Sequence, residues 1–288
     1  MKIIYAMGDR EVSYLCLKLL TNENIYPLNN GFEEVIFPSP LRIARSQGSH
    51  TILNNSMVHP LGEFAIKGVI WYQGEGNRTR AKAYKNVFSA VIDSFREQWN
   101  NNNLPFYFVQ LAPFADIGNK RRSSEELVAQ VREAQRLTLE KNNVGMAVIM
   151  DVGDSLDIHP IPKKPVGDRL ALLALAKDYG KKDLVFSGPL FKGVYFKKNN
   201  AIISFDHVGS GLTYNGEKLK YFEIAGNDKK FYKAFAEVIG NKVIVNSEKV
   251  SNPKYVRYGW KNYLTPNFVN KEGLPASSFS SLINPFSQ

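Results

Sequence analysis

The apolar residues of this 288-residue chain change their period partway along it, and that change constrains the fold more than any other feature. From about residue 64 to 180, short apolar runs alternate with longer stretches repeating every three to four residues. This is the grammar of a parallel sheet with helices on its faces. Phe64 to Tyr72 reads as a strand approach. Ala81 to Trp99 reads as an amphipathic helix with Ala83, Val87, Ala90, Val91, Ser94 and Phe95 inward and Lys85, Arg96 and Glu97 outward, stopped by Asn100 to Asn103. Phe106 to Leu111 is a second strand, and Ser123 to Glu140, opening on a Ser-Ser-Glu-Glu cap signal, a second helix. Val144 to Met150 is a third strand, and Val166 to Tyr179 a third helix.

Beyond Gly180 the pattern becomes short alternating runs, such as Ala201 to Phe205 and Lys242 to Val245, separated by Asn-Gly, Gly-Asn and Asn-Pro turns. The expected organisation is an α/β domain over residues 1–185 and a small β-sandwich-like domain over 186–288. Residues 1–50 are the least legible, with one strand at Lys2 to Met7 and a short helix at Val12 to Leu20.

Composition bounds the function. Hydrophobic residues at 44% and aromatics at 12% suit a packed globular protein, and no apolar stretch approaches the roughly 20 residues that span a bilayer. The net charge of +10 favours acidic partners, but the lysines fall in scattered pairs such as Lys163-Lys164 and Lys229-Lys230. No basic stripe interleaved with aromatics is present, so nucleic acid is not an expected partner. The single cysteine, Cys16, cannot build a disulfide framework or a cysteine-based zinc site. Asp9, Arg10 and Glu11 interrupt the first apolar run before a secretory core forms, so no signal peptide is expected and the compartment stays open.

Two segments could carry chemistry. His159 follows the third strand in Asp151-Val152-Gly153-Asp154-Ser155-Leu156-Asp157-Ile158-His159, an imidazole beside acids at the carboxyl end of a parallel strand. A neutral imidazole accepts a proton near pH 7 when a carboxylate fixes its tautomer and stabilises its charged form, so His159 reads as a general base, with Asp157 or Asp154 as its orienter. The first strand ends in Gln73-Gly74-Glu75-Gly76-Asn77, which offers amide and backbone donors where such sheets bind ligands. Donors aimed at a developing oxyanion are worth roughly 3 to 4 kcal/mol each. The same residues also read as a glycine-rich turn capped by Asn77, with Glu75 a substrate-binding carboxylate or a partly buried acid paired with Arg169 or a backbone amide. His59 and His207 read as loop and turn residues. Arg257, Tyr258 and Trp260 read as an alternating strand with its aromatics facing a domain interface, or as a sugar-stacking surface.

The string Phe64 to Glu75, with Asp157-Ile158-His159-Pro160 much later, resembles the sialate O-acetylesterase family of SGNH-type carbohydrate esterases. Asn54 to Leu61 and Ser204 to Leu212 are similar to it as well. The resemblance runs from about residue 52 to about 280. It implies a flavodoxin-like three-layer α/β SGNH domain followed by an all-β domain, and removal of acetyl groups from sialic acid or related sugars without metal or cofactor. It implies His159 as catalytic base, Asp157 as its acid, and Gln73, with Gly74, Glu75 and Asn77, at the oxyanion and substrate. The family's nucleophile sits in a Gly-Gln-Ser-Asn turn after a first strand, and the 288 residues contain no such string. The expectation is therefore an N-terminally incomplete SGNH domain with an uncovered sheet edge inclined to self-association, and either a serine supplied from elsewhere in residues 1–60 or an inactive carbohydrate-binding relative.

Overall fold

The computed structural model describes residues 54–115, 124–282 and 285. The strand expected at Lys2 to Met7, the helix at Val12 to Leu20 and Cys16 lie outside them. Strands β1 (Val69–Trp71), β2 (Phe106–Val109) and β3 (Val144–Ala147) form a parallel sheet in the order β1-β2-β3. Helices α1 (Ala81–Gln98), α2 (Leu127–Leu137) and α3 (Lys164–Lys177) alternate with them, as the period changes predict.

The all-apolar run of β2 explains how the layers assemble. Successive strand residues face opposite sides of a sheet. Phe106 and Phe108 enter one apolar cluster with Tyr84, Phe88 and Ile92 of α1 and Val128 and Val131 of α2. Tyr107 and Val109 point the other way, toward Leu173, Leu170 and Val166 of α3. The helices therefore cover both faces. At the centre of the first face Phe88 meets Phe108 edge-on with centroids 5.0 Å apart, and Trp71 lies 6.3 Å from Phe88. Ile70, on the opposite side of β1, is 69% exposed.

Three expectations need correction. The first strand pairs only over Val69–Trp71, because a turn from Leu61 to Phe64 precedes it. Helix α1 buries Ala90, Val91 and Ser94 as expected, but its inward stripe also takes Tyr84, Phe88 and Ile92, while Ala83 is exposed. Large aromatics at positions i and i+4 remove more apolar area from water than small residues do, so they set the inward stripe. Arg96 goes inward with them, where its guanidinium donates to the Leu104 carbonyl at 3.1 Å and the Asn142 carbonyl at 2.6 Å. The second helix starts at Leu127, and its Val128 N–H is capped at 2.9 Å by the side chain of Asn262, 134 residues away, while the Ser124 hydroxyl accepts the Glu126 N–H at 3.3 Å.

Every described element after residue 185 is a strand. β4 (Leu190–Lys197), β5 (Asn200–Asp206), β9 (Phe235–Ile239) and β10 (Lys242–Asn246) form an antiparallel sheet in the order β4-β5-β10-β9. A second sheet runs in the order β13-β11-β7-β8, from β13 (Phe279–Ser280), β11 (Tyr255–Tyr258), β7 (Phe222–Ala225) and β8 (Tyr232–Lys233). β6 (Leu212–Tyr214) and β12 (Phe268–Asn270) pair separately. Ile203, Val243, Ile224, Tyr258, Phe268 and Phe279 share one apolar cluster between these sheets.

This strand-rich half is bound to the α/β half by polar groups. Arg132 of α2 is fully buried and donates to the carbonyls of Gly259 at 3.1 Å and Asn262 at 3.4 Å, to that of Lys261, and to the Ser278 hydroxyl at 3.2 Å. Burial draws its pKa down to about 9, which still leaves it charged at neutral pH. Gln110, just past β2, donates to the Ser277 hydroxyl at 2.7 Å. Among the described residues no group of His, Cys, Asp or Glu is placed to hold a metal, and no helix is long and apolar enough to cross a membrane.

Candidate active site

β1 and β3 run parallel with β2 between them, so the turn after β1 and the loop after β3 leave the sheet at the same edge. The β1 turn is the Gln73 segment. Gly74 has φ of 148°, in the region that disfavours a side chain, and a Cβ there would sit 3.2 Å from the Tyr84 hydroxyl and 3.3 Å from Gln135 Nε2. A glycine is needed for the chain to pass these two groups, and both hold the residue before it. The Tyr84 hydroxyl donates to the Gln73 carbonyl at 3.0 Å, and Gln135 Nε2 donates to the same carbonyl at 3.2 Å. The Gln73 side chain is fixed as well. Its Nε2 donates to Asn77 Oδ1 at 2.8 Å, and its Oε1 lies 3.3 Å from the Tyr84 hydroxyl. Asn77 is buried, and its N–H closes the turn on the Gly74 carbonyl at 2.9 Å. A 3-10 segment, Glu75–Arg80, then leads into α1.

The β3 loop is held by a close backbone approach. A Cβ on Gly153 would stand 2.1 Å from the Pro113 carbonyl oxygen, so only glycine lets this loop lie against the strand end of β2. Asp154 then accepts the Leu156 N–H at 2.8 Å and the Asp157 N–H at 3.3 Å, which bends the chain back. Asp157 Oδ1 accepts the His159 N–H at 2.7 Å and stands 3.9 Å from the ring Nδ1. That separation is an ion-pair contact, too long for a hydrogen bond. The His159 side chain is 83% exposed, so the imidazole is open to a substrate.

Turn and loop meet electrostatically. Burial pushes the Glu75 carboxyl above the ordinary carboxylate range, and the charges of His159 and Lys163 and nearby backbone N–H groups pull it back. Burial, and then the Glu75 charge, pushes the neighbouring Tyr72 phenol up. Arg169, a suggested partner of Glu75, instead makes a two-pronged pair with Asp151 at 2.6 Å on each arm and donates to the Val148 carbonyl at 2.9 Å. It therefore braces the root of the His159 loop.

The structure thus places Gln73, Gly74, Glu75 and Asn77 after β1 and Asp157 and His159 after β3, at the same end of the sheet with β2 between them. Reading the sequence missed Tyr72, Tyr84, Gln135 and Lys163. Tyr84 and Gln135 lie on helices 11 and 62 residues from Gln73, where no local pattern marks them. His59 lies in the short segment His59–Leu61, and His207, with φ of 57°, packs edge-on to Phe186 at 4.9 Å. Tyr258 and Trp260 are buried, and Arg257 pairs with Glu223 at 2.8 Å and Glu126 at 3.0 Å.

Comparison with known proteins identifies the family. Residues 49–175 match the carbohydrate esterase family described as sialic acid-specific acetylesterase. The chain is 32% identical over 217 residues to the sialate O-acetylesterase of Rattus norvegicus, covering 67% of this chain and 38% of that one. It is 37% identical over 159 residues to the sialate O-acetylesterase of Homo sapiens, covering 49% of this chain and 30% of that one. It therefore spans well under half the length of these curated relatives. Among solved structures, a carbohydrate acetylesterase from Xanthomonas citri superposes with a TM-score of 0.77 at 41% identity, covering 84% of this chain and 57% of that one. The chain belongs to the sialic acid-specific acetylesterase family of carbohydrate esterases.

Proposed function

We propose that this chain is a carbohydrate O-acetylesterase acting on sialic acid or a related sugar, with a flavodoxin-like SGNH domain over residues 1–185 and a β-sandwich-like domain over 186–288. What supports the reading is that the Gln73 turn and the loop carrying the exposed His159 follow parallel strands and so leave the sheet at the same end. The change from helices alternating with parallel strands to strands alone beyond residue 185 supports the two-domain division, although Leu190, Tyr221 and Leu264 pack into the first apolar cluster.

In this mechanism His159 takes the proton of a serine hydroxyl as that oxygen attacks the acetyl carbonyl, then returns it to the sugar oxygen that leaves. Water repeats the sequence on the acyl-serine and releases acetate. Asp157, now 3.9 Å from the ring, closes to hydrogen-bond distance when the imidazole becomes charged. An amide nitrogen carries two hydrogens, so Gln73 Nε2 can keep its bond to Asn77 and still offer one to the tetrahedral oxyanion. Glu75, half-buried in the same turn, can accept from a sugar hydroxyl. The substrate partner is an O-acetylated sugar.

The serine is the part this reading must still supply. Ser46 and Ser49 lie outside the described residues, and Ser56 lies in the short segment Asn54–Val58. A fluorophosphonate that labels reactive serines, followed by peptide mapping, tests the point. Stoichiometric labelling of one serine, lost after His159→Ala, supports the esterase. The missing Gly-Gln-Ser-Asn string favours a second reading, a carbohydrate-binding relative without turnover. Sugar binding with no labelled serine would establish that reading in its place.

A further inference from the structure

We propose that the strand-rich half carries a second sugar site, for a carboxylated oligosaccharide, in the cleft between Trp260 and β8. A cavity of about 470 Å³ opens there, within the size range of small-molecule sites. Phe235 and half-buried Tyr221 supply aromatic surface over the buried Trp260 that forms the wall, and Phe235 is 61% exposed, a large apolar ring standing in water. Ring faces of this kind pack on the C–H faces of sugars at small entropic cost, since an aromatic side chain has few torsions to freeze.

The charge around the aromatics is one-sided. Lys218, Lys220, Lys233 and Lys261 line the cavity, and Glu223 is its single carboxylate among the described residues. Glu223 is paired at 2.8 Å with Arg257, which also holds Glu126 at 3.0 Å. Lys261 stands 3.7 Å from the exposed Glu125, while no described carboxylate comes within ion-pair distance of Lys218, Lys220 or Lys233. Lysines ringing an aromatic cavity suit a ligand with both ring faces and carboxylates, whereas a nucleic-acid backbone needs a continuous basic track. The cleft also continues. A second cavity of about 810 Å³ shares Glu223, Lys233 and Phe235 and adds Phe231, Tyr232 and Lys249, giving room for more than one sugar. Neither cavity is lined by the Gln73 turn or the His159 loop, so the site stands apart from the proposed ester chemistry.

The test is calorimetric titration of the full 288-residue chain with 3′-sialyllactose, which carries a carboxylate and no ester, and with lactose as the neutral control. The expected result is that sialyllactose binds, that lactose binds at least about tenfold more weakly, and that affinity falls as salt rises. Lys220→Gln with Lys233→Gln, and separately Phe235→Ala, should each weaken sialyllactose by about tenfold or more, while His159→Ala leaves it unchanged. These side chains are exposed, so the variants are expected to fold, and circular dichroism checks that they do. Absence of sialyllactose binding overturns the proposal, as does equal binding of lactose. Binding lost in His159→Ala but kept in the lysine and Phe235 variants also overturns it, because the ligand then occupies the esterase crevice.

Discussion

Gln135 on α2 reaches the backbone of Gln73 at 3.2 Å with its Nε2 and receives the Leu111 N–H on its Oε1 at 2.9 Å. One buried amide thus ties the end of β1 to the end of β2. Leucine has nearly the same shape and neither polar atom, so Gln135→Leu leaves a buried N–H without a partner, at about 1–3 kcal/mol. The expected outcome is a melting temperature lower by several degrees, and a kcat that falls more than KM rises, because the role proposed for the displaced Gln73 is at the oxyanion. Thermal melts and acetate-release kinetics check it. An unchanged kcat would remove Gln135 from the positioning of Gln73.

Arg132 predicts a different failure. Its guanidinium meets carbonyls of residues 259, 261 and 262 in full burial, so Arg132→Met strands those acceptors between the two halves. Leaving such buried carbonyls without a donor is expected to destabilise by about 1–3 kcal/mol each. Urea unfolding should show a lower midpoint, and limited proteolysis should cut sooner near residues 259–262. A midpoint unchanged from wild type would contradict this account of the junction.

Glu75 predicts a pH dependence of stability. Burial raises its carboxyl pKa in the folded chain above the unfolded value, so the native state holds this proton more tightly. Its contribution is most favourable below the unfolded pKa and is lost as pH rises through the folded one. Glu75→Gln removes that dependence. The variant is expected to melt above wild type at about pH 8, with the advantage vanishing toward about pH 4, while KM for the acetylated sugar rises. Melts across this range check the sign, and a variant less stable at the alkaline end would contradict it.

The period change along the chain made the parallel sheet and the strand-rich half legible, because burial on two faces and burial on one leave different patterns. His159 and the Gln73 turn were legible because chemistry-bearing residues followed apolar strands. The inward turn of Arg96 was not. A guanidinium reads as a solvent-facing group until the carbonyls of Leu104 and Asn142, on other segments, give it acceptors. The cap of α2 from Asn262 and the bracing of Gln73 by Gln135 are contacts of the same kind, made across 134 and 62 residues. The pairing of Glu75 with Arg169 failed because Asp151, 18 residues before that arginine, offers both carboxylate oxygens to its planar fork.

The central claim is that the exposed imidazole of His159 moves protons for ester cleavage at this sheet edge. Acetate release from an O-acetylated sialic acid, measured for the 288-residue chain and for His159→Ala at matched concentration, tests it most directly. Wild-type turnover with a drop in kcat/KM of about a thousandfold in the variant is the predicted result. Equal rates for the two proteins, or no release by the wild type, would contradict it.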